Sequence, residues 1–191
     1  MKNLSDIEII ESVKRGNQSD YSIIINRYKN KAFSMLKRML KNEMDAEEVL
    51  QDCFLKAYHG LNSFKMESKF STWFYRIVYN TALTKLSGKK RKIENEMISI
   101  DDHLDLAYEE NSDQFNKEET GALINSLIER LPEKYSSVIT MFYLEEMSCE
   151  EIGDVMNLTV PNVKVILYRS RNALKDIILK MKNSEDLVWT K

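Results

Sequence analysis

The sequence predicts an all-α protein in which two small helical domains are joined by an acidic, extended linker. Apolar residues recur at three- and four-residue steps along most of the chain, which is the period of one helical face. Only five Gly and two Pro occur in 191 residues, few for a sheet protein that needs many turns. Residues 1–92 carry 18 basic and 10 acidic side chains, 93–119 carry 1 and 10, and 120–191 carry 9 and 10. This pattern predicts a basic first domain, a linker over 93–119 and a second domain over 120–191.

The composition excludes several classes of protein. Hydrophobic residues make up 43% of the chain and charged residues 30%, which favours a folded core over intrinsic disorder. No apolar run approaches the roughly 18 residues of a membrane span, and residues 1–16 lack the apolar stretch of a signal peptide, so we expect a cytoplasmic protein. Cys53 and Cys149 have no paired spacing, which favours two buried thiols over a zinc site or a disulfide. We expect neither a metal nor a cofactor.

The first domain begins with two predicted helices. Ser5-x-x-Glu8 has the pattern of a capping box and opens a short helix, which Gly16 closes in a left-handed conformation. A second and longer apolar stripe runs from about Ser19 to Leu40 and predicts a helix of several turns.

Two further helices are predicted in this domain. Asp45 starts the third helix, whose outer face is acidic, and Gly60 ends it. A polar loop over 62–69 follows, and Ser71 is predicted to cap a fourth helix that leads to the basic cluster over 89–92. The apolar residues expected to face inward from the fourth helix are Phe74, Ile77, Val78 and Leu83. We expect Trp73, Phe74 and Tyr79 to belong to the core rather than to form a stacking platform.

The second domain is predicted to contain four helices. Two of them, from about Thr120, are joined tightly at Pro132, which stands at a helix-opening position. Ser148-x-x-Glu151 is another capping box and opens a short helix, after which 157–159 form a turn. A long last helix follows, with Thr159 as its cap.

The short helix, the turn and the long helix have the pattern of a helix-turn-helix motif. In such a motif the second helix presents its N-terminal residues to the DNA major groove. Lys164, Val165, Tyr168 and Arg169 share the face opposite the apolar stripe, so they can reach base edges or phosphates together. The alternative is an ordinary helical hairpin with a solvated basic face.

Both domains resemble one protein family. The second domain resembles region 4 of bacterial sigma factors of the extracytoplasmic-function (ECF) group, over LPEKYSSVITMFYLEEMSCEEIGDVMNLTVPNVKVILYRSRNALKDIIL. The first is similar to region 2 of the same group, over DAEEVLQDCFLKAYHGLNSF and FSTWFYRIVYN. The two segments occur in the family's order and together cover roughly residues 8–92 and 120–180.

The resemblance implies three binding surfaces. The surface for the large catalytic subunit of RNA polymerase core comprises Asp45, Glu47, Glu48, Gln51 and Asp52, although exposed carboxylates on a helix are also common without any partner. The surface for the melted minus-ten promoter element comprises Phe64, Lys65, Lys69, Ser71, Thr72, Arg76, Asn80, Lys89, Lys90 and Arg91, with Lys85 beside them. The surface for the minus-thirty-five element comprises Asn162, Lys164, Val165, Tyr168, Arg169 and Arg171.

The resemblance also implies that the linker threads toward the polymerase active-site cleft, where its negative charge would imitate RNA; a solubilising spacer is the alternative. The chain departs from the family pattern in two places. The end of the fourth helix, over 84–88, lacks the common Asp and early Arg, and the last helix differs at three residues. Asn162 stands where Thr is usual, and Val165-Ile166 stands where a small polar residue and Arg are common. The recognition surface is therefore less cationic than usual, which leaves the minus-thirty-five sequence open.

Three functions are compared. A sigma factor would bind polymerase core, direct it to specific promoters, assist melting and be regulated by an anti-sigma factor, often a membrane-bound one that would hold it at the membrane. The second candidate is a helix-turn-helix regulator that binds duplex DNA as a dimer and never engages polymerase. The first half of the chain argues against this candidate, because it contains a basic, aromatic segment and no obvious ligand site. A helical enzyme has the weakest case, because the sequence contains no nucleophile–base pattern, no phosphate loop and no metal-ligand spacing around its two histidines. We therefore expect a non-enzymatic sigma factor.

Overall fold

A computed structural model of the chain describes residues 4–96 and 117–188. These residues form eight α-helices and contain no strand, so the predicted all-α class is confirmed. None of the helices in the described ranges has the length and apolar character needed to cross a membrane.

The first four helices form a bundle. They are α1 (Asp6–Lys14), α2 (Tyr21–Leu40), α3 (Glu43–Gly60) and α4 (Phe70–Glu96). Helix α2 packs against α1, α3 and α4, and α3 also packs against α4. The predicted capping box at Ser5 is confirmed, because its backbone N–H donates to Glu8 Oε2 at 2.7 Å and the Glu8 N–H donates to Ser5 Oγ at 3.3 Å. Gly16 has the expected left-handed conformation, with φ of 107°.

Several predicted helix boundaries and one predicted core residue are wrong. Helix α3 begins two residues before Asp45 because Asn42 caps it, with the Asp45 N–H donating to Asn42 Oδ1 at 2.9 Å. Helix α4 begins at Phe70, so Ser71 lies inside the first turn rather than at its cap. Leu83 was expected to face inward but is 39% exposed, because it lies on the outer side of α4.

Aromatic side chains fill the centre of the first domain. The rings of Phe54 and Phe74 stack with their centroids 4.9 Å apart, and Tyr28 meets Phe70 edge-on at 5.5 Å. Phe74 and Tyr79 are buried, which confirms their assignment to the core. Trp73 is half-buried and packs on this core.

The last four helices form the second domain. They are α5 (Lys117–Glu129), α6 (Glu133–Ile139), α7 (Cys149–Met156) and α8 (Val160–Val188). A π-helical turn over Thr140–Leu144 follows α6 directly. Pro132 precedes α6 in an extended conformation, which agrees with its predicted helix-opening role.

The two domains pack against each other. Helix α2 contacts α5 and α6, and α4 contacts α7. Arg38 of α2 is 4% exposed at this junction and donates hydrogen bonds to Asn125 Oδ1 at 2.8 Å and Thr140 Oγ1 at 3.4 Å. Burial lowers the pKa of Arg38, because a desolvated guanidinium is less stable in its charged form.

Most of the predicted linker over 93–119 lies outside the described residues. Its two ends are helical rather than extended, because α4 continues to Glu96 and α5 already begins at Lys117. The predicted path of this segment toward the polymerase cleft stays a prediction.

Candidate nucleic-acid interface

The predicted helix-turn-helix is present in α7, the following turn and α8. The Ser148 backbone N–H donates to Glu151 Oε2 at 2.9 Å and the Glu151 N–H donates to Ser148 Oγ at 3.2 Å, so the predicted capping box opens α7. Asn157 ends α7 in a left-handed conformation with φ of 54°, and the Leu158 N–H donates to the Gly153 carbonyl at 2.9 Å. These local contacts fix the angle between the two helices.

Gly153 is required by the tightness of this turn. A Cβ atom at this position would lie 2.7 Å from the carbonyl oxygen of Leu158, which is backbone and cannot rotate away. The chain therefore needs a residue without a side chain here, a role for Gly153 that the sequence analysis did not identify.

One face of α8 is presented to solvent. Val163, Ile166, Leu167 and Ser170 are buried against the rest of the domain. All six residues that were predicted to contact the minus-thirty-five element are exposed, namely Asn162, Lys164, Val165, Tyr168, Arg169 and Arg171. Val165 is 47% and Tyr168 is 65% exposed, so apolar and aromatic surface lies between the cationic groups. This arrangement suits major-groove contact, where an apolar side chain meets thymine methyl groups.

The acidic face of α3 is also largely exposed. Glu47, Glu48, Gln51 and Asp52 point to solvent, whereas Ala46, Val49 and Cys53 on the other side are buried. The residue predictions for polymerase binding thus fall on one accessible surface.

Asp45 differs from the other acidic residues of α3. Its carboxylate accepts a hydrogen bond from Lys89 and forms an ion pair with Lys85 at 3.3 Å, both from α4. Lys85 also contacts Glu48 at 2.6 Å. The hydrogen bond from Lys89 is the largest cause that lowers the pKa of Asp45. Asp45 and Lys89, predicted to bind polymerase and DNA respectively, are therefore bound to each other.

The residues predicted to contact the minus-ten element fall into three groups. The side chains that are exposed or half-buried are Lys65, Lys69, Ser71, Arg76, Asn80, Lys89 and Lys90. Arg91 belongs to α4, and its side chain lies outside the described part of the chain. Two residues are buried, Phe64 and Thr72.

Phe64 does not fit its predicted role in DNA contact. Its ring is 5% exposed and packs on Trp73, with the ring centroids 5.0 Å apart, and on Phe70 at 5.9 Å. A ring enclosed in the core of the first domain offers no free face to a base. The sequence analysis placed Phe64 in a polar loop, and the apolar partners that enclose it are six and nine positions further along the chain.

The second domain covers part of the predicted minus-ten surface. Glu151 of α7 forms an ion pair with Lys69 at 3.0 Å and accepts a hydrogen bond from Thr72 Oγ1 at 3.3 Å. Arg76 Nε donates to the carbonyl oxygen of Asp154 at 2.9 Å. Thr72 is only 1% exposed. The sequence analysis missed these contacts, since no local pattern connects two segments that lie about 80 residues apart.

The charge state of Glu151 follows from these partners. Burial against the first domain raises the pKa of Glu151, but the Ser148 backbone N–H and the Lys69 ammonium favour the carboxylate more strongly, so the pKa is lowered overall.

A cleft of about 590 Å³ opens beside these contacts, between Arg76 and Asn80 on one side and the turn after α7 on the other. Within the described ranges, no three His, Cys, Asp or Glu side chains are placed to hold a metal ion.

Known families match both domains. Residues 24–92 match the family Sigma-70 region 2, and residues 122–174 match the family Sigma-70, region 4. The class of protein is thus a sigma-70-type transcription factor, with a region 2 domain followed by a region 4 domain that contains the helix-turn-helix.

Full-length relatives narrow this class. The chain is 34% identical over 174 residues to the ECF RNA polymerase sigma factor SigW of Bacillus subtilis (strain 168), with 87% of this chain and 92% of the relative covered. It is 32% identical to the ECF RNA polymerase sigma-E factor of Escherichia coli (strain K12), with 91% and 94% covered. The chain therefore belongs to the ECF RNA polymerase sigma factors, which are transcription initiation factors and not enzymes.

Solved structures share the fold. The structure of CnrH in complex with the cytosolic domain of CnrY has a TM-score of 0.64 at 22% identity, with 91% of this chain and 96% of that chain covered. The sigma factor RpoE in complex with the anti-sigma factor NepR from Bartonella quintana has a TM-score of 0.65 at 15% identity, with 83% and 96% covered. At these identities the likeness concerns the fold alone.

Proposed function

We propose that this protein binds RNA polymerase core, directs it to specific promoters and assists DNA melting at initiation. The observation that carries the proposal is the placement of two accessible surfaces of different chemistry on different domains. The acidic face of α3 belongs to the first domain, and the cationic and aromatic face of α8 belongs to the second. A specificity subunit needs both at once, because polymerase and promoter must be held together.

We assign the acidic face of α3 as the binding surface for core polymerase. Glu47, Glu48, Gln51 and Asp52 are exposed and offer negative charge with one amide. Complementary charge on the partner would steer the encounter and fix its register. Asp45 lies beside this surface and links α3 to α4 through ion pairs with Lys85 and Lys89.

The minus-ten element is assigned to the loop before α4 and to α4 itself. Lys65, Lys69, Arg76 and Asn80 offer exposed cationic and amide groups there, and a single strand is gripped by a cationic groove. Ser71 and Thr72 supply hydroxyls beside them, and Lys89, Lys90 and Arg91 continue the basic track along the helix. Phe64 contributes by packing on Trp73 rather than by touching DNA.

The minus-thirty-five element is assigned to the exposed face of α8. Lys164 and Arg169 provide charge for phosphates or guanine edges, Asn162 provides an amide for adenine, and the Val165 side chain suits thymine methyl groups. Arg171 acts at the edge of this surface, since it is also bound within the protein.

Regulation by an anti-sigma factor is part of the proposal. CnrH and the sigma factor RpoE, which share this fold, were solved in complex with the cytosolic domain of CnrY and with the anti-sigma factor NepR. By analogy we assign this protein an anti-sigma partner and a site of action in the bacterial cytoplasm, including cytoplasm next to a membrane that holds such a partner.

Co-elution with polymerase tests the proposed function. The purified full-length chain is mixed with bacterial RNA polymerase core that lacks any other sigma subunit and is run in size-exclusion chromatography at moderate salt. We expect stoichiometric co-elution. A well-folded chain, free of anti-sigma contaminant, that elutes apart from core would overturn the proposal in favour of a stand-alone DNA-binding regulator.

A further inference from the structure

The loop between α3 and α4 is fixed at its start by the packing of one residue, Phe64. A single 3₁₀ turn over Leu61–Ser63 follows α3. The Phe64 N–H donates to the carbonyl oxygen of Leu61 at 3.1 Å, which closes this turn. The Phe64 ring lies in the core against Phe70 and Trp73. The backbone N–H and the side chain of Phe64 are therefore both held in place.

Lys14 of α1 makes a further contact with Phe64 from 50 positions earlier in the chain. Its Nζ donates to the Phe64 carbonyl oxygen at 3.0 Å. Lys14 lies in the last turn of α1, and this helix is fixed on the bundle because Ile9, Ile10 and Val13 are buried. A hydrogen bond from an ammonium group is stronger than one between neutral groups. Lys14 thus binds the start of the loop to a rigid helix.

The bond from Lys14 sets the orientation of the peptide group that joins Phe64 to Lys65. The described residues contain no cis peptide bond, and in a planar trans peptide the carbonyl oxygen and the next N–H point in opposite directions. Because the oxygen is turned toward Lys14, the Lys65 N–H points away from this ammonium group. The Lys65 N–H has no acceptor among the described residues, and its side chain is exposed.

Lys65 therefore presents two donors, a free backbone N–H and an ammonium group. Backbone N–H groups and lysine side chains are both common donors to the phosphate oxygens of nucleic acids. Lys65 is among the residues proposed to bind the minus-ten strand. Ordering a mobile loop on binding costs conformational entropy, so a donor whose direction is already fixed binds more tightly. The contact from Lys14 removes part of that cost before DNA arrives.

We propose that Lys14 is a positioning residue for minus-ten recognition, which holds the peptide before Lys65 so that both of its donors meet the strand. The inference rests on the proposed function, since it takes Lys65 as a DNA-binding residue. It gives a role to α1, which lies before the range 24–92 that matches region 2. Lys14 itself stays bound to the carbonyl oxygen and acts on DNA only through Lys65.

The test uses holoenzyme reconstituted from RNA polymerase core and each full-length variant. The probe is a fluorescent single strand that the natural holoenzyme selects from a pool of randomised oligonucleotides, and anisotropy gives its affinity. Lys14→Met removes the ammonium group and keeps the length of the side chain, whereas Lys14→Arg keeps a cationic donor. Lys29→Met, at an exposed position of α2, is the matched control for the loss of one positive charge.

A second background separates positioning from a merely structural role. Lys65→Pro removes both donors of this residue, and Phe64 already has the extended conformation that precedes a proline, with φ of −71° and ψ of 109°. If Lys14 acts through Lys65, Lys14→Met has little left to remove in the Lys65→Pro chain. Lys65→Ala, which keeps the N–H, is the milder variant and should reduce the effect of Lys14→Met in part.

We expect Lys14→Met to weaken binding of the selected strand about fivefold to tenfold, and Lys14→Arg to restore most of the affinity. Lys29→Met should change it less than about twofold, and so should Lys14→Met in the Lys65→Pro chain. Unchanged affinity in Lys14→Met, or the same loss with and without Lys65→Pro, would overturn the positioning role. Circular dichroism checks that every variant is folded.

Failure of the proposed function gives a different result. Lys14→Met should co-elute with core as the natural chain does, because Lys14 lies on α1 and the acidic face belongs to α3. A natural holoenzyme that selects no strand from the pool would reject the minus-ten assignment, and the role of Lys14 with it. If a strand is selected and Lys14→Met binds it unchanged, only the role of Lys14 is rejected.

Discussion

Arg171 of α8 donates a hydrogen bond from Nε to the hydroxyl of Tyr143 at 2.8 Å, which ties α8 to the π-helical turn over Thr140–Leu144. The guanidinium also lies over the rings of Phe142 and Tyr143, 5.7 and 5.5 Å from their centroids. A cation over an aromatic ring is attracted by the negative face of that ring. Arg171 was predicted to contact DNA, and the structure shows that it also holds α8 in place.

Tyr143→Phe removes the hydroxyl of this pair and keeps the ring. We expect the free energy of unfolding to fall by about 0.5–1 kcal/mol, since the bond is charge-assisted but lies at the surface. Thermal unfolding measures this change. Tyr168→Phe is the matched control, because the Tyr168 hydroxyl makes no hydrogen bond among the described residues and its loss should leave stability unchanged. Equal stability in all three proteins would contradict a positioning role for Arg171.

Gly153→Ala should disrupt the turn of the helix-turn-helix. The added Cβ would lie 2.7 Å from the Leu158 carbonyl oxygen, so α7 and α8 must shift apart. Overpacking of this kind costs about 1–3 kcal/mol, and duplex DNA affinity should fall as α8, the helix proposed to contact the minus-thirty-five element, moves. Gly121→Ala is the control: its Cβ meets nothing within 4 Å, and in the middle of α5 it should stabilise by about 0.5–1 kcal/mol. Thermal unfolding of both variants measures the change in stability. A Gly153→Ala protein as stable as the natural chain would contradict the prediction and show that the turn can relax around the added Cβ.

The local features of the fold could be predicted from the sequence because they depend on neighbours in the chain. Both capping boxes, at Ser5 and Ser148, are confirmed. So is the helix-turn-helix, since a capped helix, a three-residue turn and an amphipathic helix leave little freedom to the backbone. The exposed face of α8 follows from its apolar stripe for the same reason.

The junction between the domains could not be predicted in this way. Glu151 was recognised as a capping residue, and its second role against Lys69 and Thr72 depends on how two domains meet. Phe64 was misplaced because its neighbours in sequence are polar while its neighbours in space are Phe70 and Trp73. Periodicity reports which side of a helix is buried, but it does not identify the element that buries it.

Arg169→Glu should abolish minus-thirty-five-dependent transcription and leave polymerase binding intact. Arg169 is exposed on α8, and reversing its charge replaces a phosphate or base contact by repulsion, which costs at least about 1–3 kcal/mol of DNA binding. Run-off transcription and co-elution with core measure the two functions separately. Lys175→Glu, an exposed reversal further along α8, should have a smaller effect. Loss of both functions in Arg169→Glu would indicate a structural role instead.

Glu48→Lys combined with Gln51→Lys should weaken binding to polymerase core by at least about tenfold while the helix content stays unchanged. Both side chains are exposed on α3, and the Glu48–Lys85 ion pair that is lost contributes at most about 1 kcal/mol at the surface. The control is Glu11→Lys with Gln18→Lys, the same exchange at exposed positions outside α3. Titration of labelled chain against core gives the affinities, and circular dichroism monitors the fold. If both pairs bind core as the natural chain does, polymerase docks on a surface other than the acidic face of α3.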